Sequence, residues 1–199
     1  MTVKIVAISA GLGEPSTTRM LADRIADAAR TNLGDASVET VSLRELAHDV
    51  TDATLTGFAS PRLQQVIDQV MAADALIAVT PIFKASYTGL FKSFFDAFEA
   101  DALIGKPVIV AATGGTARHS LAIDFAMRPL FAYMQAFVMP TGIFASPHDW
   151  GTEGKNALTS RIDRAAAELA SVLAGAGTDR QRDDEFDMFS DSMLAAARP

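Results

Sequence analysis

The chain has 199 residues, 49% of them hydrophobic, which suits a single domain with a sizeable core. It contains no cysteine, so the sequence excludes disulfides, cysteine-ligated metal or iron–sulfur sites and a cysteine nucleophile. A net charge of −7 without a basic stripe argues against nucleic-acid binding, and the scattered histidines His48, His119 and His148 argue against a metal site.

The first part of the chain predicts a strand, a helix and a second strand. Lys4–Ser9 is a continuous apolar run rich in β-branched residues, typical of a strand covered on both faces. After a loop of Gly, Pro, Ser and Thr, apolar residues recur at helical spacing from Met20, predicting a helix to about Asn32 that Gly34 ends. Alternation over Val38–Leu43 predicts the second strand.

The next segment predicts a polar connection before the second long helix. Arg44–Ser60 is polar, and we expect at most a short helix near Glu45. Ser60 followed by Pro61 is a typical helix start, because serine caps the free amides and proline suits the first helical position. The third strand is predicted over Ala75–Thr80.

The second half continues the alternation of helix and strand. Pro81–Gly89 is predicted as a loop, and Phe91–Phe98 carries one apolar face of the next helix. A buried strand follows over Val108–Thr113, then a helix over about Ala122–Gln135. Val138–Phe144 contains a fifth strand that a proline and a glycine interrupt.

The C-terminal part predicts one more helix and a tail. Leu158–Ala174 is an amphipathic helix, so we assign residues 1–174 to one domain. Residues 175–199 form a charged tail that either caps a neighbouring subunit or is disordered. The first apolar run is too short to span a bilayer and follows no basic segment, so we expect a cytoplasmic protein that makes no membrane contact.

Alternating strands and helices predict an α/β protein with a parallel sheet covered on both faces. Ligands of such sheets bind beyond the carboxyl ends of the strands. Three loops that follow predicted strands therefore need inspection: Ser9–Thr18, Thr80–Gly89 and Thr113–Thr116.

The first of these loops combines glycines with hydroxyls before a helix. Gly11 and Gly13 are followed by Ser16, Thr17 and Thr18, and free amides at a helix start suit a phosphate. The spacing is neither a P-loop nor G-x-G-x-x-G. A capped turn without any ligand explains the same residues equally well.

The other two loops carry aromatic residues and paired glycines. Phe83 and Tyr87 in the second loop favour an apolar wall for a flat ring, although Lys84 alone is more typical of a surface lysine. Gly114 and Gly115 allow close approach to a ligand, and a simple tight turn is the alternative. We predict no catalytic side chain, because a bound cofactor would supply the chemistry.

Three segments resemble the NADPH-dependent FMN reductase family, especially its members that supply reduced FMN to a monooxygenase. Thr80–Asp96 is similar to the family pattern T-P-x-Y-x-x-x-x-[ST]-G-x-x-K-x-x-x-D. Ala112–Thr116 resembles its A-T-G-G-[ST] block, and Ala122–Pro129 resembles its D-[YF]-A-x-[KR]-P block. The resemblance implies a flavodoxin-like, doubly wound sandwich with a five-stranded parallel sheet in the order 2-1-3-4-5.

The resemblance also implies an FMN site. Its phosphate would contact Ser9, Gly11, Ser16, Thr17 and Thr18. Its ring would contact Pro81, Ile82, Phe83, Lys84 and Ser86 on one side, and Thr113, Gly114, Gly115 and Thr116 on the other. Leu12 stands near the family's loop arginine, and Phe125 stands where some relatives have a tyrosine that marks a helix insertion at an oligomer interface.

The implied function is hydride transfer from NADPH or NADH to FMN, with reduced flavin passing to a two-component monooxygenase. Two flavin-binding alternatives stay open: a quinone or azo reductase that retains its FMN, and an electron carrier of the flavodoxin type. A flavin-free α/β interaction module is a third. Apolar residues in Phe91–Phe98 and Phe125–Phe137 further predict a homodimer or homotetramer.

Overall fold

The computed structural model describes residues 2–151 and 154–175. Its strands are β1 (Val3–Ser9), β2 (Ala36–Ser42), β3 (Ala75–Phe83), β4 (Ser86–Tyr87), β5 (Pro107–Thr113), β6 (Phe137–Val138) and β7 (Ile143–Ala145). Its α-helices are α1 (Thr17–Leu33), α2 (Ala47–Thr56), α3 (Pro61–Ala72), α4 (Gly89–Asp96), α5 (Arg128–Tyr133) and α6 (Lys155–Gly175). The predicted tail beyond Gly175 lies outside the described residues.

The central sheet has the order β2-β1-β3-β5-β6, with every neighbour on this path parallel. This order is the flavodoxin-like variant of the doubly wound fold, so the predicted fold class is confirmed. Helices α1 and α6 pack on one face of the sheet, and the helices from α2 to α5 cover the other. No helix within the described ranges is both long and apolar enough to cross a membrane.

The sheet has seven strands among the described residues, not the predicted five. The predicted strand Val138–Phe144 is divided: β6 pairs with the start of β5 and β7 pairs with its end. Between them, Glu168 of α6 accepts hydrogen bonds from the backbone N and Oγ1 of Thr141, at 2.8 and 2.6 Å. These side-chain bonds replace ladder bonds in a segment where Pro140 has no N–H to donate.

The other additional strand, β4, lies where the sequence predicted only a loop. β3 continues through Pro81 to Phe83, and the chain turns back into the short antiparallel strand β4. Lys84 and Ala85 occupy the turn with φ of 52° and 68°. A tight hairpin of this kind usually carries Asn-Gly or Asp-Gly, so the prediction of a loop over Pro81–Gly89 was wrong for a physical reason.

Two helical segments also differ from prediction. The connection Arg44–Ser60 contains a 3₁₀ turn and all of α2, whose inward face presents only Val50 and Ala53 to the core. The predicted helix Ala122–Gln135 begins instead as a π-helix over Ile123–Met127 and continues as α5. The narrow apolar face of α2 gives too weak a helical period to detect in the sequence.

The predicted helix ends are confirmed where capping residues marked them. Ser16 Oγ accepts a hydrogen bond from Arg19 N at 3.2 Å, and Gly34 ends α1 at a φ of 73°. Ser60 Oγ accepts from Leu63 N at 3.2 Å at the start of α3.

The phenylalanines of α4 belong to the core of the chain itself. Phe91, Phe94 and Phe95 are each at most 2% exposed and stack edge-on against one another and Phe131. The prediction that this face packs against another subunit is therefore wrong for these three residues. Exposed apolar residues in the segment that leads into α5, in α5 itself and in β6 are Leu121, Phe125, Tyr133 and Phe137.

Candidate functional site

A cavity of about 530 Å³ opens at the carboxyl ends of the parallel strands. Four segments line it, one after each of β1, β3, β5 and β7. They contribute Leu12, Gly13, Pro15, Ser16, Thr17, Thr18, Pro81, Ile82, Phe83, Thr113, Gly114, Gly115, Ala145, Ser146, Pro147 and Trp150. Its position is the crevice in which doubly wound sheets bind ligands, and its volume is typical of a small-molecule site.

The start of α1 gives this cavity a polar end. Thr17 and Thr18 are the first residues of the helix, so by helix geometry their amides have no acceptor within it. Ser16, Thr17 and Thr18 also bring hydroxyls to this lining, and hydroxyls together with free amides suit an anion such as a phosphate. Gly11 makes this arrangement possible, because a Cβ there would collide with Ser16 Oγ and lie 3.0 Å from Thr18 Cβ.

One buried hydrogen bond links the first and third loops. Thr18 Oγ1 and Thr113 Oγ1 lie 2.8 Å apart, and both residues are at most 5% exposed. The bond joins the first turn of α1 to the last residue of β5. It therefore fixes the polar end of the cavity relative to the glycine pair that follows Thr113.

The end of β3 gives the cavity an apolar wall. Pro81, Ile82 and Phe83 line it, and Phe83 is 53% exposed. Thr80 anchors this wall, since its hydroxyl accepts from Thr88 N at 3.2 Å and donates to Pro81 O at 3.0 Å. An exposed aromatic residue on a well-anchored hairpin is suited to contact a flat ring.

The segment after β5 brings backbone close to the cavity. A Cβ at Gly114 would lie 2.7 Å from Phe144 Cζ, whereas a Cβ at Gly115 would meet nothing within 4 Å. Glycine is therefore required by packing at the first position and not at the second.

Sequence reasoning missed the fourth wall, Ala145–Trp150. Asp149 Oδ2 accepts from Ser146 N and Ser146 Oγ at 2.8 and 2.7 Å, and Asp149 Oδ1 accepts from Arg161 Nη2 of α6 at 2.6 Å. Burial alone would raise the pKa of Asp149, but the bonds from Ser146 and the charge and bond of Arg161 hold it below its ordinary value. The Ser-Pro-x-Asp pattern after the last strand was the available signal, since it is a capping box.

Trp150 is the last residue of this wall, and a cation from α1 contacts its ring. The guanidinium of Arg24, on α1, lies 5.1 Å from the centre of the indole. This cation–π contact ties the wall to α1, as Asp149 ties it to α6.

No charged side chain is among the described residues that line the cavity. Leu12 stands where the resemblance places an arginine and is 43% exposed. The nearby cation Arg19 is paired with Asp23, with Nε–Oδ distances of 2.9 and 3.1 Å. An anion at the start of α1 would therefore be held by neutral donors and the helix dipole.

The structure places most of the predicted contact residues on this cavity and some beside it. Ser16, Thr17, Thr18, Pro81, Ile82, Phe83, Thr113, Gly114 and Gly115 line it. Ser9 is buried at the end of β1, and Gly11 is buried beneath the first loop. Lys84 lies in the hairpin turn, Ser86 follows the turn, and Thr116 is exposed beyond the glycine pair. Across residues 2–151 and 154–175, no group of three or more His, Asp or Glu residues could hold a metal ion.

The model of a family described as NADPH-dependent FMN reductase matches residues 3–151. The chain belongs to this family. An FMN reductase (NADPH) from Pseudomonas aeruginosa is 38% identical over 175 residues, which cover 86% of this chain and 92% of that protein. The NADH-dependent FMN reductase SfnF of Pseudomonas putida is 38% identical over 144 residues, which cover 72% of this chain and 77% of that protein.

The fold comparison agrees with this membership in the FMN reductase family. A crystal structure of an oxidoreductase from Corynebacterium diphtheriae has a TM-score of 0.85 and 46% identity, covering 87% of this chain and 98% of that one. The residues of the cavity fit FMN, because hydroxyls and amides lie at one end and an apolar wall lies opposite a glycine edge.

Proposed function

We propose that the chain catalyses the reduction of FMN by NAD(P)H in the cavity at the carboxyl edge of its sheet. One observation carries the proposal: the hydroxyl-rich start of α1 opens into a cavity whose other walls are apolar and glycine-edged. FMN has the matching ends, a phosphate and a flat ring. Membership in the FMN reductase family supports the same reaction.

In this proposal the phosphate binds at Ser16, Thr17 and Thr18, and the ring lies between Pro81–Phe83 and Thr113–Gly115. When bound, FMN supplies the ring atom that accepts a hydride, so no acidic, basic or nucleophilic side chain is required. The task of the protein is to hold the two nucleotides with their reacting atoms about 3–3.5 Å apart and to exclude water.

The glycine pair has a further role in this arrangement. Gly114 N already donates to Ala145 O at 3.0 Å, whereas the amide of Gly115 has no acceptor among the described residues. We assign Gly115 N as the donor that stabilises negative charge developing on the ring.

We further propose that FMN is an exchangeable substrate that leaves in reduced form for a partner monooxygenase. A phosphate held only by neutral donors lacks the charge-assisted bonds that an arginine would add, and such bonds are roughly twice as strong as neutral ones. The uncharged lining of the cavity supports weak retention of FMN.

The test of the enzyme activity uses the purified protein, FMN and either NADPH or NADH. We expect FMN-dependent loss of the nicotinamide absorbance with at least one of them. No FMN-dependent oxidation of either nucleotide would contradict the proposal.

Gel filtration after loading with FMN separates this proposal from its flavin-binding alternatives. We expect the flavin to be lost from the protein. Retained FMN with turnover of quinones or azo dyes would favour a reductase with resident flavin. Retained FMN without oxidation of NAD(P)H would favour an electron carrier.

We also propose that the chain forms a homodimer or homotetramer through the exposed patch of Leu121, Phe125, Tyr133 and Phe137. Phe125 and Tyr133 are both 78% exposed, which is unusual for large apolar side chains on one side of a monomer. We also propose that the protein is located in the cytoplasm.

A further inference from the structure

Ser146, on the fourth wall of the cavity, has used both of its hydrogen-bond donors within the protein. Its backbone N and its Oγ both donate to Asp149 Oδ2, at 2.8 and 2.7 Å. Its carbonyl oxygen accepts from Asp149 N at 3.0 Å. The capping box also uses one lone pair of Oγ to accept from Asp149 N, so only the other lone pair of Oγ remains for a ligand.

The direction of the hydroxyl bond is fixed by the state of its acceptor. Asp149 is paired with Arg161 at 2.6 Å, and its side chain is only 16% exposed. The carboxyl group accepts three hydrogen bonds and therefore favours its ionised form, which has no proton to donate. Ser146 Oγ is consequently the donor in this pair, and its remaining lone pair is an acceptor site on a residue that lines the cavity.

A hydrogen-bond acceptor at this position favours ligand groups that can donate a proton. Phosphate oxygens at neutral pH offer no proton to a serine lone pair, so the phosphate end of a nucleotide gains nothing from Ser146. A hydroxyl group can donate to it.

The position of Ser146 in the fold indicates which hydroxyl groups of a ligand would donate to it. Ala145 pairs with Thr113 in the sheet, and Thr113 bonds to Thr18 at the polar end of the cavity. Ala145 O also accepts from Gly114 N, in the segment assigned to the ring edge. Ser146 therefore follows a residue that adjoins both the polar end of the cavity and the glycine pair. In the proposed FMN pose, the sugar-alcohol chain lies between these two parts of the site.

We infer that Ser146 accepts a hydrogen bond from a hydroxyl of the sugar-alcohol chain of the flavin, oriented for that contact by Asp149. This assignment rests on the proposed function, since it requires that FMN binds in this cavity. It makes Ser146 a specificity-determining residue for flavins that carry this chain.

Three flavins separate the possible contacts: FMN, riboflavin, which lacks the phosphate, and lumiflavin, which lacks the sugar-alcohol chain as well. Quenching of flavin fluorescence gives the affinity of the full chain for each. Ser146→Ala is the main variant, and Ser146→Cys is a second that keeps the shape of the side chain. Ser171→Ala, on an exposed position of α6, is the control.

We expect both Ser146 variants to weaken FMN and riboflavin equally, by about 3- to 10-fold for one lost hydrogen bond, and to leave lumiflavin unchanged. A loss of affinity for FMN alone would assign the contact to the phosphate and overturn the inference. Equal loss for all three flavins would assign the effect to the ring or to a distorted wall, and no loss would remove the contact; either result overturns it. If the wild-type protein binds none of the three, the proposed function fails and this inference fails with it.

Discussion

The hydroxyls of Thr18 and Thr113 form a buried hydrogen bond of 2.8 Å between residues 95 positions apart in the sequence. The bond connects the helix start that faces a phosphate to the strand end that precedes the glycine pair. This side-chain pair therefore adds a direct link between two parts of the candidate site to the backbone pairing of the sheet.

Replacing either threonine of this pair with valine tests its structural role. Thr18→Val or Thr113→Val leaves one buried hydroxyl unpaired, which costs about 1–3 kcal/mol. We expect the double variant to lose less than the sum of the single losses, because no unpaired hydroxyl remains. Urea unfolding of the four proteins measures this coupling, and strict additivity would contradict the pairing.

The two serine helix caps provide a matched test of the phosphate site. Ser16→Ala removes one N-cap bond and costs about 1 kcal/mol in the free energy of unfolding. Ser60→Ala removes an N-cap bond and also the bond that Ser60 Oγ donates to Asp49 Oδ1, so it is destabilised at least as much. Only Ser16 lies on the cavity. We expect the KM for FMN to rise in Ser16→Ala and to stay unchanged in Ser60→Ala. An equal rise in both variants would assign the effect to general destabilisation.

Alanine substitutions at Gly114 and Gly115 test where close packing requires a glycine. Gly114→Ala places a methyl group 2.7 Å from Phe144 Cζ, so the ring of Phe144 must shift. We expect a lower melting temperature for Gly114→Ala and an unchanged one for Gly115→Ala, whose methyl group meets no atom within 4 Å. Thermal unfolding followed by circular dichroism makes the comparison, and equal melting temperatures would contradict it.

The low pKa of Asp149 predicts how stability depends on pH. The folded chain binds this proton less tightly than the unfolded chain, so the stabilisation is complete above the ordinary aspartate pKa of about 3.9 and is lost as the pH falls through the lower folded value. Asp149→Asn does not titrate. The advantage of the wild-type protein over this variant should therefore shrink between about pH 5 and pH 3 in urea unfolding.

An exposed aspartate controls for the general effect of removing a negative charge. Asp52→Asn alters an exposed carboxylate of α2 that has no hydrogen bond to its side chain among the described residues. A constant difference between wild type and Asp149→Asn over this pH range would contradict the assignment.

The exposed patch that contains Phe125 predicts the effect of a charge on assembly. Phe125→Asp should convert the oligomer to a monomer, because an unpaired charge in an apolar interface is strongly unfavourable. Phe58→Asp is the control, since Phe58 is 80% exposed but lies between α2 and α3 rather than in or beside α5. Sedimentation velocity measures both variants. Equal dissociation by the control, or a wild-type monomer, would contradict the proposed interface.

Much of the fold was predictable because buried parallel strands leave a clear signal. The apolar runs at Lys4–Ser9, Ala75–Thr80 and Val108–Thr113 became β1, most of β3 and β5. Because their carboxyl ends meet at one edge, the loops that follow them could be grouped into one candidate site before any coordinates were considered.

The elements that were not predicted have weak or interrupted sequence patterns. Helix α2 buries little apolar surface, and the β3–β4 hairpin turns at Lys84-Ala85, a pair without the residues typical of such turns. The fourth wall follows a strand that Pro140 and Gly142 interrupt, so its approach to the other loops was not expected. One of its polar contacts comes from Arg161, which lies 12 residues after Asp149 and belongs to a different element.

Trp150 is the one tryptophan in the sequence, and it stands on the wall of the cavity with Arg24 behind its ring. Indole emission from this protein therefore originates at a single place, beside the compartment that ligands enter. The chain carries a built-in optical reporter, so arrival and departure of a nucleotide can be timed in a stopped-flow instrument without attaching a dye.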